Sequence, residues 1–90
     1  MELQEERLSR AISAFSRRQI LRLLANKELS VKEISQQINQ SVSLTSRHLK
    51  LLYDLGFLNL RKVSTQKFYS LKIKELRQLL DTYDQVINKL

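Results

Sequence analysis

The chain has a single glycine and no proline, and its hydrophobic period changes at that glycine. Before Gly56, apolar residues recur in sets: Ile20, Leu21, Leu23 and Leu24, then Val31, Ile34 and Ile38, then Leu49 and Leu52. Spacings of three and four place each set on one face of a helix. After Gly56, FLNLRKV and KFYSLK interleave branched and aromatic residues with polar ones, as strands do. A helical unit followed at once by a hairpin is therefore expected. At 90 residues it is one small domain. A lone core is marginal at that size, so oligomerisation is a live option.

Start and stop signals divide the helical part. Residues 3–14 read as a first helix, with Leu3, Leu8, Ala11, Ile12 and Phe15 on one side. Ser16 with Gln19 matches a capping box, and so does Ser30 with Glu33, so a helix is expected to begin at each serine. Asn39 suits a left-handed residue in a tight turn. Ser41 then caps a helix running to about Leu55, with Gly56 just past its end. VSTQ joins the strands. From about Lys74 a last helix carries Ile73, Leu76, Leu80, Tyr83, Ile87 and Leu90 as a heptad-like stripe, enough for one face of a helix pair. The expected fold is mainly α with a small β-hairpin, in the order α-α-α-α-β-β-α. It forms one domain over residues 1–90, a helix-turn-helix at 30–55 with a wing at 57–72.

Charge narrows the partner. The chain carries 16 Lys and Arg against 9 Asp and Glu, a net +7 and a pI near 10.1. Residues 41–72 hold +5 of that excess, with Asp54 their only acid. A localised basic face points to nucleic acid. A membrane surface fits less well, because the bases lie on a compact domain and not along one amphipathic helix. The chain has no cysteine, which excludes disulfides, thiolate metal sites and cysteine catalysis. No apolar run approaches the roughly 18 residues of a membrane span. The charged start MELQEERLSR does not read as a signal peptide, so the cytoplasm is the expected compartment. No convergent acid, base and nucleophile stand out, so no enzyme is expected.

The stretch SVSLTSRHLKLL, residues 41–52, carries hydroxyls and bases on one side and leucines on the other. Ser43, Ser46, Arg47 and Lys50 share one broad face, whereas Thr45, Leu49 and Leu52 face the core. Small hydroxyls permit close approach to an anion, and the helix N-terminus favours phosphate. In a helix-turn-helix this second helix enters the major groove of double-stranded DNA by its N-terminal part. Arg47 can pair with guanine O6 and N7 or grip a phosphate. Val42 and Leu44 either pack on thymine methyls or turn inward. Arg61, Lys62, Thr65 and Lys67 would be the wing contacts, and Arg17 either meets backbone phosphate or makes an interhelical ion pair.

The segment from Ala11 to Leu71 resembles the ArsR-type winged-helix repressors through SRRQILRLL, ELSVKEI, SRHLKLL, DLGFL and FYSL. The resemblance implies a homodimeric, sequence-specific repressor on a two-fold-symmetric operator. Its dimer interface would comprise the first and last helices, residues 1–15 and 74–90, through Leu3, Leu8, Ile12, Leu76, Leu80, Tyr83 and Ile87. Family members commonly release DNA when an effector, often a metal ion, binds. This chain departs from that pattern. Ser30 and Lys32 stand where metal-sensing relatives often place a cysteine pair, and the wing lacks the usual glycine. Asp81 and Asp84 are expected to be two solvated acids, so no metal site and no cofactor is expected, and the effector is unknown.

Other residues have plainer readings. Lone His48 is expected to be a partly buried structural or phosphate-facing histidine, since one histidine without thiolates cannot build a zinc site. Of Phe68 and Tyr69, one should be core and the other exposed. The alternative function is a winged-helix protein–protein module whose basic face meets an acidic partner, with only weak, sequence-blind DNA binding.

Overall fold

A computed structural model describes residues 3–90. Five helices and three short strands follow in the order α1 (Gln4–Ile12), α2 (Phe15–Leu24), β1 (Leu29–Ser30), α3 (Val31–Ile38), α4 (Val42–Asp54), β2 (Leu58–Val63), β3 (Gln66–Leu71) and α5 (Glu75–Asn88). This is a winged helix-turn-helix. Strand β1 was not foreseen, because two residues carry no alternation to read. It pairs antiparallel with β3, Leu29 opposite Tyr69, giving the sheet order β1-β3-β2.

The caps explain where α3 and α4 start. Ser30 Oγ accepts from the Glu33 N–H at 3.1 Å while Glu33 Oε1 accepts from the Ser30 N–H at 2.8 Å, a complete capping box. Asn39 takes the left-handed conformation at φ 56°, and Ser41 Oγ accepts from the Leu44 N–H at 3.1 Å. The chain can thus reverse between α3 and α4 within three residues.

The expected cap at Ser16 is corrected. The cap position falls two residues earlier, at Ala14, and carries no side-chain cap bond. Ser16 Oγ instead accepts from Gln40 Nε2 at 2.5 Å, tying α2 to the α3–α4 turn. Helix α1 ends at Ile12, and its last carbonyls are met by arginines from α2. Arg18 donates to Ile12 O at 2.7 Å, and Arg17 donates to Arg10 O through Nη2 at 2.8 Å and Nε at 3.1 Å. Cations disfavoured at one helix start serve as caps for the preceding helix end.

Helices α2, α3 and α4 close over the sheet. Ile20, Leu21, Leu24, Ile34, Leu49, Leu52 and Leu71 are almost wholly buried, as is Thr45. Gly56 holds φ +93°, and a Cβ there would lie 2.8 Å from Arg7 Nη2, which donates to Leu55 O. Glycine therefore lets α4 end and lets α1 seat against that end.

The stripe on α5 is also corrected. Leu76 and Leu80 are 3% and 2% exposed, because they fill the chain's own core and leave almost no surface for a partner. The apolar residues that α5 leaves exposed are Leu79, Val86 and Ile87, with Tyr83 half-buried beside them. On α1, Leu8 and Ile12 are half-buried against the core while Leu3, just before the helix, is exposed.

Candidate nucleic-acid interface

Helix α4 turns Thr45, Leu49 and Leu52 inward, so Ser43, Ser46, Arg47 and Lys50 face solvent as expected from spacing. The hairpin beside it stands on a two-residue loop, Ser64 and Thr65, between β2 and β3. Ser64 adopts φ 57°, the left-handed conformation a glycine would otherwise supply at such a turn. Lys62 and Lys67 lie directly opposite in the ladder and both are exposed. Like charges so placed repel, a cost that an anion between them would relieve.

A groove runs between α4 and the hairpin. Ser46, Arg47, Lys50 and Lys67 line one stretch of it, with Tyr53 and Tyr69 as its apolar floor. Ser46 and Lys67 continue into a second stretch with Lys32, Val42 and Thr65. Residues up to 35 apart in sequence thus converge on one concave basic surface. Lys32 was missed, although a cation in the first turn of α3 opposes the helix dipole and was a usable signal.

Several of the expected cations already have partners within the chain. Lys50 donates to Asp54 at 2.8 Å, a highly exposed pair that holds the ammonium above its ordinary range. Exposed pairs of this kind are weak, so Asp54 can yield Lys50 to a phosphate. Arg61 also starts from an ion pair. It makes a forked ion pair with Glu28, the shortest contact 2.7 Å, and lies 4.9 Å from the Phe68 ring centroid. Its hydrogen bond keeps Glu28 below the usual carboxylate range. The pair ties β2 to the segment before β1, and with Arg61 on the surface it too can open to a phosphate. Arg17 is hydrogen-bonded within the chain and, among the described residues, makes no ion pair across helices that would match the second reading. Its guanidinium is occupied by Arg10 O, Ser13 Oγ at 3.0 Å and His48 Nδ1 at 3.4 Å.

His48 is half-buried on the α2 side of α4. Partial burial and then the Arg17 and Arg47 charges hold its imidazole below the ordinary value, so it is neutral near pH 7. Tyr69 is the core member of its pair and Phe68 the half-buried one. Asp84 is not simply solvated: it accepts from Arg22 at 2.6 Å, joining α5 to α2. Among the described residues no cluster of His, Cys, Asp and Glu could hold a metal ion.

Comparison with known proteins bears on this arrangement. Residues 16–59 match the sequence model of the family described as bacterial regulatory protein, arsR family. The transcriptional activator HlyU of Vibrio cholerae is 36% identical over 74 residues, which cover 82% of this chain and 68% of that protein. The chain belongs to the ArsR family. The HTH-type transcriptional regulator KmtR of Mycobacterium tuberculosis is 33% identical over 79 residues, 88% of this chain and 59% of that protein. The solved HlyU structure superposes with a TM-score of 0.82 at 32% identity, over 92% of this chain and 90% of that one. A homodimeric winged helix-turn-helix DNA-binding domain from Mycobacterium bovis, a possible ArsR-family regulator, gives 0.81 at 26% identity, over 96% and 80%. This chain is thus an ArsR-family transcriptional regulator with a winged-helix DNA-binding fold, and its relatives are regulators, not enzymes.

Proposed function

We propose that this ArsR-family chain binds a specific double-stranded DNA operator as a homodimer and represses transcription from it. Helix α4 enters the major groove with Ser43, Ser46, Arg47 and Lys50, while Lys62, Thr65 and Lys67 of the wing meet adjacent backbone. The observation that carries this reading is the basic groove where Ser46, Arg47, Lys50 and Lys67 converge beside the start of α4. Helix α1 and the exposed row Leu79, Val86 and Ile87 of α5 supply the dimer face. Two copies would place their α4 helices about 34 Å apart, one turn of DNA. Repression is the proposed action because a dimer seated across a promoter occludes it; HlyU is described as an activator, so a transcription assay reads the sign. No helix among the described residues is long and apolar enough to cross a membrane, and the cytoplasm is the proposed compartment.

Selection from genomic fragments and random duplex, followed by a salt series, tests the reading. A palindromic site bound at least about a thousandfold above random DNA is expected, and the salt slope counts phosphate contacts. Arg47→Ala should cost about 1–3 kcal/mol and relax one operator position if it reads a base. Sequence-blind binding that vanishes near physiological salt would overturn the operator and favour an acidic protein partner.

A further inference from the structure

The first turn of α4 has an unexpected solvent face. Val42 is 52% exposed and Leu44 37% exposed, while Thr45 between them and the next turn is fully buried. Neither side chain turned inward. Helix α3 provides the contrast: its exposed positions are Lys32, Glu33, Gln36 and Gln37, all polar. A single exposed apolar residue is ordinary. Two that flank a serine at the tip of a helix, beside a basic groove, are not explained by solvation.

Helical rotation of about 100° per residue puts Val42 and Leu44 on opposite shoulders of Ser43. Val42 faces the wing, where it lines the groove with Ser46, Thr65 and Lys67. Leu44 lies one turn before His48, on the shoulder that looks toward α2. An edge of the major groove offers hydrogen-bonding groups at every base pair but only one apolar group, the C5-methyl of thymine.

We infer that Val42 and Leu44 are specificity-determining residues that seat on thymine methyl groups, so each operator half-site carries a thymine on either side of the position Ser43 faces. This rests on the DNA-binding reading above. The two residues read base identity through apolar contact alone, and they divide that task between the shoulders of α4.

The test uses the full chain and the duplex enriched by selection. Each half-site thymine is replaced singly by deoxyuridine, which removes the methyl group and keeps every hydrogen-bonding group. Loss of one buried methyl should weaken binding about fourfold at two positions and leave the others unchanged. Val42→Ser should abolish the penalty at one of these positions and Leu44→Ser at the other; circular dichroism checks that both variants are folded. Uracil duplexes bound as tightly as the thymine duplex, with specific binding intact, would overturn this inference alone. Penalties that persist in both serine variants would also overturn it. Failure to enrich any duplex would overturn the operator reading, and the inference with it.

Discussion

His48 sits where two guanidinium groups bear on it, and Arg17 donates to its Nδ1. A guanidinium has no acceptor, so Nδ1 carries the lone pair and the proton resides on Nε2. Because folding lowers this histidine from its ordinary 6.5, the unfolded chain binds the proton more tightly. Its contribution to stability is therefore complete above about pH 6.5, falls as the pH drops below it, and levels off beneath the folded value. Urea denaturation from about pH 8 to pH 5 should show that decline, and His48→Gln should flatten it; an unchanged slope in the variant would assign the decline elsewhere. Gly56 is a second single-residue test. Its φ of +93° and the 2.8 Å approach of Arg7 predict that Gly56→Ala costs about 1–3 kcal/mol in chemical denaturation. Adding Arg7→Ala should recover the steric part of that loss, since the crowding atom belongs to a side chain. The glycine was legible in the sequence as a helix stop, whereas the arginine that packs on it was not.

Helix α3 is short, only 8 residues, so its capping box matters. Ser30→Ala should cost about 1 kcal/mol, measured as a shift of the urea midpoint; no shift would mean that packing of Ile34 and Ile38 alone holds the helix. Ser16–Gln19 and Ser30–Glu33 match the same local pattern, yet only the second forms the box. The difference is tertiary: Gln40 takes the Ser16 hydroxyl, and Arg17 and Arg18 are drawn back to the end of α1. The wing shows a similar division. Its strands were legible from alternation, but the pairing of Arg61 with Glu28 depends on a contact between residues 33 apart. On the hairpin, Lys62 and Lys67 are the cations with no ion-pair partner shown among the described residues, and Thr65 stands at its tip.

A chain of 90 residues that leaves Leu79 40%, Val86 56% and Ile87 50% exposed on one helix has a face to cover. A second copy is the proposed cover. Sedimentation should report twice the 10.7 kDa chain mass, and Leu79→Glu combined with Val86→Glu should return a folded monomer with much weakened operator binding. Single-chain mass for the wild type at operator-binding concentrations would remove the dimer. At this scale the division between sequence and structure is plain. Helix faces, the Ser30 and Ser41 caps, the turn at Asn39, the stop at Gly56 and the basic outer face of α4 all follow from residues within a few positions of one another. Local spacing and local hydrogen bonding are enough to specify them. Only the tertiary structure decided that Leu76 and Leu80 belong to the chain's own core, that Val42 and Leu44 remain outside, and that Arg17, Arg61 and Asp84 are engaged. Arg61 meets Glu28 33 residues away and Asp84 meets Arg22 62 away, while Arg17 reaches back across the α1–α2 bend to Arg10 and Ser13 and on to His48, 31 away. Such pairings depend on how whole elements pack, and no local pattern encodes that.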